Sequence, residues 1–304
     1  MKALTIRDLK KTYASRHVAL RGIDLNVDPG DFFALLGPNG AGKTTTIGII
    51  TSLVNKDEGQ VSIFGHDIDH EFATAKTFIG VVPQEYNFNI FEKVLDILVN
   101  QAGFYGIPRS LALIRAKHYL TKLGLWEKRD QAARNLSGGL KRRLMIARAL
   151  IHEPKMLILD EPTAGVDIEI RRSMWAFLQE INQQGVTIIL TTHYLEEAEY
   201  LCKRVAIIDK GSIIENTTVK ELLSRLNSET VLFDLKNPLV ELPIIPECNT
   251  EILDDTTLAV TFPKTFNLNT IFAFLSEKGI EVVSMRNKAN RLEELFLQLT
   301  QRQG

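Results

Sequence analysis

The sequence has few cysteines, no long apolar run and almost no net charge. Its two cysteines, Cys202 and Cys248, are far apart and lack metal-ligand spacing, which excludes a disulfide framework and favours a reduced, cytosolic setting. No apolar stretch approaches the length that a bilayer-spanning helix needs. Residues 1–8 carry charges where a signal peptide would need an apolar core. Any membrane role is therefore expected to come through a partner.

The charge balance argues against a nucleic-acid partner. The 304 residues include 36 basic and 37 acidic ones, which gives a formal net charge of −1. Proteins that bind polyanions usually carry an excess or a cluster of basic residues. We therefore expect no nucleic-acid partner, in a chain long enough for one large domain or two.

The most informative stretch runs from Gly37 to Thr45 and matches the pattern G-x-x-x-x-G-K-[ST]. An apolar run at 32–36, typical of a buried strand, precedes it, and a helical stretch follows. Glycines let the backbone wrap tightly so that several N–H groups point at phosphate oxygens, and the helix N-terminus adds a favourable dipole. In this interpretation Lys43 reaches the β- and γ-phosphates, and the Thr44 hydroxyl is a magnesium ligand.

Polar residues also follow three other expected strands. Gln84 lies after an apolar run that ends at a proline, Asp160 and Glu161 close another, and His193 closes a third. Ligands of parallel α/β sheets bind at the carboxyl ends of strands. Asp160 suits a magnesium shell and Glu161 the attacking water, since adjacent strand residues point in opposite directions. Gln84 and His193 are interpreted as phosphate-site residues, although a polar loop residue and a structural histidine are the alternatives.

Between these strands, residues 91–150 change from a period of two to one of about 3.6, which predicts a helical insertion. Apolar residues recur in its second stretch at Leu111, Ile114, Tyr119 and Leu120. Its last helix opens with Ser137, Gly138 and Gly139, an N-cap followed by two residues that allow close backbone approach. An ordinary helix start is the alternative, but each glycine costs about 1 kcal/mol relative to alanine inside a helix.

Short alternating segments ahead of the phosphate loop predict an antiparallel edge sheet. Tyr13 lies among them, either as a strand aromatic or as a flat surface on which adenine can stack. The stretch from His66 to His70 resembles a metal cluster superficially, but a solvated turn explains it better.

Together these stretches resemble the ATP-binding cassette family over about residues 4–226, with the motifs in the family's order. They are the aromatic Tyr13, the Walker A loop Gly37 to Thr45, the Q-loop Gln84, the signature 136–139, the Walker B pair Asp160 and Glu161, the D-loop 164–167 and the H-loop His193. One departure is Leu140, where the signature commonly carries Gln, but the Ser and both Gly remain, so we expect no loss of activity.

The resemblance implies an α/β fold of the P-loop nucleoside triphosphatase class and cassette type. Such a fold has a mixed parallel core sheet, an antiparallel N-terminal edge sheet and a helical subdomain, here at about 85–150. It also implies an ATPase that uses ATP and Mg²⁺ and works as a head-to-tail dimer around two ATP molecules.

The resemblance assigns a role to each motif residue. The expected ATP-binding residues are Tyr13, Gly37, Pro38, Asn39, Gly40, Ala41, Gly42, Lys43, Thr44 and Thr45. Those expected to act across the dimer are Ser137, Gly138, Gly139 and Asp167. The magnesium residues are Thr44, Gln84 and, through water, Asp160, and the catalytic residues are Glu161, His193 and Lys43.

The remaining residues, 227–304, are expected to form a small C-terminal α+β domain. Alternating or helical patterns predict strands at 230–235, 258–262 and 280–285 and helices at 271–277 and 291–299. The ending 286–296 is similar to the C-terminal extension of cassette subunits of multidrug, polysaccharide and antibiotic exporters.

This similarity implies the ATPase subunit of an exporter, with a polytopic permease on a separate chain that holds it at the inner face of the cell membrane. The alternative is a soluble cassette ATPase that acts on DNA or ribosomes or as a nucleotide sensor. The insertion is too short and irregular for the coiled coil of chromosome-maintenance members. The chain also carries one cassette, whereas translation-factor members carry two.

Overall fold

The computed structural model describes residues 1–224, 228–239, 241–263, 265–287, 292 and 296. These residues fall into two compact units, Met1–Thr217 and a second that begins at Thr218. The boundary expected between residues 226 and 227 falls on 225–227, outside the described residues. None of the helices within the described ranges is long and apolar enough to span a membrane.

The elements of the first unit alternate between strands and helices. In chain order they are β1 (Leu4–Thr12), β2 (Val18–Val27), β3 (Phe32–Leu36), α1 (Lys43–Ile50), β4 (Glu58–Ile63), β5 (His66–Asp67), α2 (Phe72–Ala75), β6 (Ile79–Val82), α3 (Val94–Phe104), α4 (Arg109–Lys122), α5 (Gly138–Leu150), β7 (Met156–Asp160), α6 (Ile168–Gln183), β8 (Thr187–Thr191), α7 (Leu195–Leu201), β9 (Arg204–Asp209) and β10 (Ser212–Thr218). Single 3₁₀ turns at Lys76–Phe78, Trp126–Lys128 and Ala133–Asn135 connect some of them.

A six-stranded sheet with the order β10-β9-β3-β8-β7-β6 forms the centre of this unit. β3 pairs in parallel with β8 and β9, and β7 pairs in parallel with β6 and β8. Every residue of β3, β7 and β8 is buried, as parallel strands covered on both faces require. Because parallel strands end at one edge, the loops after β3, β6, β7 and β8 come together there.

A second sheet, with the order β2-β1-β4-β5, covers part of the core. β1 pairs antiparallel with β2 and with β4, which confirms the antiparallel sheet predicted ahead of the phosphate loop. Leu4, Ile6 and Leu9 of β1 are fully buried and belong to the same hydrophobic cluster as Phe33 and Ile158 of the central sheet. Apolar burial therefore joins the two sheets into one core.

The His66–His70 stretch forms a turn. His66 Nδ1 lies 3.0 Å from Glu71 Oε1, and its ring stacks on that of Phe78 at 5.4 Å between centroids. In the part of the chain that the structure describes, no group of three or more His, Cys, Asp or Glu side chains could hold a metal ion. Neighbouring side chains account for His66 without a metal.

The predicted helical insertion contains α3, α4 and α5, with α4 packed against α3 and α5. The apolar residues Leu111 and Ile114 are not the buried face of α4, since their exposed fractions are 39% and 67%. The buried face consists of Ala112, Ala116 and Leu120, all fully buried, so of the recurring apolar residues the prediction holds for Leu120. The close approach of neighbouring helices favours alanine at positions 112 and 116.

The second unit contains α8 (Val219–Ser224), β11 (Ser228–Leu235), β12 (Asn249–Asp254), β13 (Thr257–Pro263), α9 (Leu268–Glu277) and β14 (Val282–Asn287). Its antiparallel sheet has the order β12-β13-β11-β14. Phe233 and Leu258 of the sheet and Ile271 and Leu275 of α9 are fully buried in one core. Strand β12 was not predicted, and the helix expected over 291–299 lies outside the described residues, apart from Leu292 and Phe296.

His152, after α5, is a partly buried histidine that the fold keeps neutral. Its ring stacks on that of Tyr105 with centroids 3.7 Å apart, and Nε2 lies 3.0 Å from the Ile79 carbonyl oxygen. Nδ1 has no hydrogen-bond partner among the described residues, so a proton on Nδ1 would be buried and unpaired. Burial accordingly lowers the pKa of His152 to about 4, from an ordinary value of 6.5.

This depressed pKa predicts a loss of stability in mild acid. Between pH 6.5 and 4 the unfolded chain binds more protons at this position than the folded chain, so stability is lost as the pH falls through that window. The loss attributable to His152 reaches up to about 3 kcal/mol. We expect His152→Phe, which keeps a ring against Tyr105, to be less stable at pH 7 but to show a shallower decline.

Urea unfolding of the wild type and variant at several pH values from 7 to 4.5 measures this difference. The matched control is His118→Phe, because His118 is exposed, and it should keep the wild-type slope. Parallel slopes for the wild type and His152→Phe would contradict the prediction.

Candidate functional site

The loops at the carboxyl edge of the central sheet enclose a cleft of about 570 Å³. Most residues expected at a nucleotide site line it. These expected residues are Tyr13, Asn39, Gly40, Gly42, Lys43, Thr44, Thr45, Gln84, Glu161 and His193, and His17 and Ala19 line the cleft as well. The expected residues Gly37, Pro38, Ala41 and Asp160 are not part of this lining. The topology therefore brings together five segments that are up to about 180 residues apart in sequence.

The phosphate loop connects β3 to α1, and its shape depends on glycine. Gly40 and Gly42 have φ values of 80° and 114°, in the region that residues with a Cβ rarely adopt. A Cβ on Gly37 would lie 2.3 Å from the backbone oxygen of Ile208 in β9. Gly42 is the N-cap of α1 and makes no side-chain cap, so backbone N–H groups at this end remain available to an anion.

Lys43 is the first residue of α1 and is only 7% exposed. Its ammonium donates hydrogen bonds to the carbonyl oxygens of Gly37, at 2.6 Å, and Pro38, at 3.1 Å. Burial lowers the pKa of Lys43, whereas the nearby carboxylates Glu161 and Asp160 raise it. The loop thus holds a partly desolvated cation that a phosphate group would stabilise.

Asp160, the last residue of β7, is also buried. The Thr191 hydroxyl at the end of β8 donates to Asp160 Oδ1, which fixes the carboxylate beside the phosphate loop. Burial raises the pKa of Asp160, and Glu161 adds to the rise, while Thr191, Lys43 and Arg142 lower it.

Glu161 follows β7 and faces the cleft with 14% of its side chain exposed. Its backbone has φ 49°, an uncommon conformation for a residue with a side chain, of the kind that clusters at functional sites. Gln84 Nε2 donates to Glu161 Oε2 at 3.2 Å, and His193 Nδ1 lies 3.2 Å from the same oxygen. Three separate sequence motifs therefore meet at one carboxylate.

Tyr13 lies at the outer edge of the cleft and is 38% exposed. Its hydroxyl lies 3.2 Å from Thr45 Oγ1, and Lys11 Nζ lies 5.7 Å from its ring centroid. The ring is thus held beside the phosphate loop with part of its surface free to contact a base. His17 lines the same region and was not predicted, because a single polar residue between two strands gives no sequence signal.

The signature residues do not line this cleft. Ser137 and Gly138 are exposed at the start of α5, and the Ser137 side chain accepts only a 3.4 Å hydrogen bond from Leu140 N. A Cβ on Gly139 would lie 2.9 Å from Ile170 Cδ1, so the second glycine permits tight packing against α6. Asp167 precedes α6 as its N-cap without a side-chain cap bond and is likewise absent from the residues that line the cleft.

Two residues that the sequence did not indicate connect the Gln84 segment to the signature helix. Tyr86 Oη donates to the Gly138 carbonyl oxygen at 3.2 Å. Arg142 Nη1 donates to the carbonyl oxygens of Pro83, at 3.0 Å, and Gln84, at 2.8 Å. A shift of the Gln84 segment would therefore move α5. Such pairings depend on tertiary contacts between distant positions and leave no periodic pattern in the sequence.

Known proteins resemble both the sequence and the fold. The family model described as ABC transporter matches residues 20–164. The linearmycin resistance ATP-binding protein of Bacillus subtilis is 35% identical over 98% of this chain and 98% of its own length. The chain belongs to the ABC transporter family. A Nod factor export ATP-binding protein of Cupriavidus metallidurans is 33% identical over 99% of this chain and 98% of its own length.

A solved ABC cassette resembles the fold as well. It is a dimer in a post-hydrolysis state, bound to ADP and phosphate, with 25% identity and a TM-score of 0.66 over 71% of this chain and 98% of its own. This ABC protein is the ATP-binding, ATP-hydrolysing subunit of an exporter. The family, the fold class and the ATPase activity predicted from the sequence are thereby confirmed.

Proposed function

We propose that this ABC subunit works as a head-to-tail dimer that closes on two ATP molecules and drives a polytopic permease on a separate chain. The observation that carries the proposal is the incomplete cleft. It contains the residues to which we assign phosphate binding and hydrolysis, whereas Ser137, Gly138, Gly139 and Asp167 of the same chain lie outside its lining. In this proposal a second copy supplies those residues.

Exposure and helix geometry support that arrangement. Ser137 and Gly138 are exposed, and they open a helix of 13 residues whose N-terminus favours an anion. A γ-phosphate held by the loop of one copy would supply that anion. ATP would then bridge the two copies, and hydrolysis would remove the bridge.

Within each site, each residue at the strand ends would have a separate role in phosphoryl transfer. Lys43 would neutralise charge on the β- and γ-phosphates, and the N–H groups from Gly37 to Thr45 would bind their oxygens. Glu161 would orient the attacking water and accept its proton, because its carboxylate faces the cleft. His193, next to Glu161 Oε2, would donate a hydrogen bond to the γ-phosphate as charge develops.

The donor set at the loop fits magnesium. Thr44 offers an exposed hydroxyl, Asp160 a buried carboxylate that would act through water, and Gln84 an amide oxygen. Hard oxygen donors of this kind suit Mg²⁺. When bound, the ion would neutralise charge on the phosphates. Thr191 would keep Asp160 oriented toward it through the hydroxyl hydrogen bond to Oδ1.

A groove on the helical region offers a place for the permease. It has a volume of about 700 Å³ and is lined by Phe88, Ile97, Phe104 and Ile107, among others. Phe104 is 85% exposed. The segment after Gln84 joins the cleft to this groove, and Arg148 Nη1 anchors it by donating to the Asn87 carbonyl oxygen at 2.8 Å. We propose that a helix of the permease binds here, so the subunit works at the inner face of the membrane.

We further propose that residues 1–226 form the ATP-binding domain and residues 227–304 a separate α+β domain. A hydrophobic core of its own, which includes Phe233 and Ile271, supports the second domain.

Removal of the exposed aromatic ring in the groove should weaken permease binding without weakening ATP binding. In detergent-solubilised membranes, the tagged wild-type chain should recover a polytopic protein, and Phe104→Asp should recover at least about tenfold less. The matched control is Leu53→Asp, because Leu53 is 82% exposed and is not among the residues that line the groove. ATP affinity should be equal in all three proteins.

Equal recovery with Phe104→Asp would place the permease elsewhere. Recovery of ribosomes or DNA in place of a polytopic protein would support a soluble role instead. Because the proposed permease site excludes the ATP-binding residues, either result would leave the ATPase assignment intact.

A further inference from the structure

Glu197 is a carboxylate with no exposed surface that the proposed mechanism does not use. It lies in the first turn of α7, four residues after His193, and its exposed fraction is 0%. A buried carboxylate is unfavourable unless hydrogen bonds or an opposite charge compensate it. The charge of Arg171 contributes least to lowering the pKa of Glu197, so hydrogen-bond donors provide most of the compensation.

Two buried donors from different segments meet at one oxygen of this carboxylate. Thr163 Oγ1 donates to Glu197 Oε1 at 3.0 Å, and Trp175 Nε1 donates to the same oxygen at 2.9 Å. Burial raises the pKa of the Glu197 carboxyl, and the hydrogen bonds from Trp175 and Thr163 oppose that rise, while Oε2 has no hydrogen-bond partner among the described residues. The carboxylate is therefore the shared acceptor of a buried polar network.

Each donor belongs to a segment that carries a residue of the site. Thr163 lies two residues after Glu161, and Trp175 lies in α6, the helix that Asp167 precedes. Glu197 itself belongs to the helix that begins two residues after His193. One side chain thus joins the segments of Glu161, Asp167 and His193.

The geometry at Glu161 requires such a restraint. The left-handed backbone at φ 49° persists only where surrounding contacts determine it. On the N-terminal side, Glu161 N donates to the Thr191 carbonyl oxygen at 3.0 Å. On the C-terminal side, the hydrogen bond from Thr163 to Glu197 fixes the following turn. The separation of 3.2 Å between His193 Nδ1 and Glu161 Oε2 depends on both segments.

We propose that Glu197 is a positioning residue for ATP hydrolysis, which holds the segments of Glu161 and His193 at the separation that the reaction needs. The inference rests on the proposed roles of those two residues. It requires no contact between Glu197 and ATP, so the chemical step should be sensitive to Glu197 and ATP binding should not.

Steady-state hydrolysis by the full chain tests this role. We expect Glu197→Ala to lower kcat at least about tenfold, because misplaced catalytic groups cost this much or more, with KM for ATP within about twofold of wild type. Glu197→Gln should recover most of the activity, since its amide oxygen can accept both hydrogen bonds. The matched control is Glu196→Ala, because Glu196 is exposed on the same helical turn and should behave as wild type.

A second pair of variants decides the question if Glu197→Ala does not fold. Thr163→Val removes the hydroxyl at nearly constant volume and should lower kcat alone, whereas Thr163→Ser should keep it. An unchanged kcat in folded Glu197→Ala or in Thr163→Val would overturn the proposal. So would a rise in KM that matches the loss of kcat, or a failure of Glu197→Gln to recover activity in a folded protein.

Glu161→Gln in the same assay separates this inference from the proposed site. If Glu161→Gln turns over at the wild-type rate, the catalytic assignment itself is wrong. If it loses turnover while Glu197→Ala keeps the wild-type kcat, only the positioning role of Glu197 is overturned.

Discussion

Replacement of Glu161 with glutamine should lower kcat for ATP hydrolysis about 100-fold or more, the usual scale for loss of a general base. Glutamine has nearly the same shape, so the turn after β7 and the contacts to Gln84 and His193 can persist. An amide cannot accept the proton of the attacking water at neutral pH. ATP should therefore still bind and still bring two copies together, but it should not be cleaved.

The same variant should remain a closed dimer in the presence of ATP. Size-exclusion chromatography with and without ATP measures closure, and phosphate release measures turnover. Glu127→Gln, at an exposed position, is the matched control and should hydrolyse ATP as wild type does. Normal turnover by Glu161→Gln would show that Glu161 does not accept the proton of the attacking water. Dimerisation that does not depend on ATP would contradict the proposed closure.

Much of this site could be predicted from the sequence because its parts obey local rules. A loop that wraps a phosphate needs glycines where φ is positive, as at Gly40 and Gly42. A parallel strand buried on both faces is a continuous apolar run, and its ligand residues follow at its carboxyl end. Gln84, Glu161 and His193 all follow this rule, and the structure brings them together.

The residues that support the site could not be predicted, because their roles arise from contacts between distant segments. Glu197 belongs to the acidic run Glu196–Glu199, which is typical of a solvated helix face, yet it is fully buried. Likewise, Ala112 and Ala116 share the buried face of α4 with Leu120, where hydrophobic periodicity favoured Leu111 and Ile114 as well as Leu120. Hydrophobicity alone does not show how closely two helices approach.

Strand β12 was missed for a related reason. Most of its residues are exposed, and it lies at the edge of its sheet, so burial imposes no alternation of apolar and polar residues. β12 is defined by its hydrogen-bonded pairing with β13, and a short sequence window does not show which strands pair.

Replacement of Lys43 with alanine should weaken ATP binding at least about tenfold and abolish measurable hydrolysis, since hydrogen bonds to charged groups contribute about 1.5–3 kcal/mol. Gly37 and Pro38 hold the ammonium in place through their carbonyl oxygens. Burial lowers the pKa of Lys43, and a bound phosphate would raise it again. Because binding of ATP and the charge on Lys43 favour each other, loss of the ammonium affects binding as well as chemistry.

Isothermal titration with ATP measures the affinity, and phosphate release measures the turnover. Lys76→Ala is the matched control, because Lys76 is exposed and does not line the cleft. Lys43→Arg tests whether charge alone is enough. The guanidinium is a wide planar fork, and the loop around Lys43 leaves only 7% of that residue exposed. We therefore expect Lys43→Arg to recover part of the affinity and little of the turnover. Wild-type affinity in Lys43→Ala would show that the backbone of the loop binds the phosphates without it.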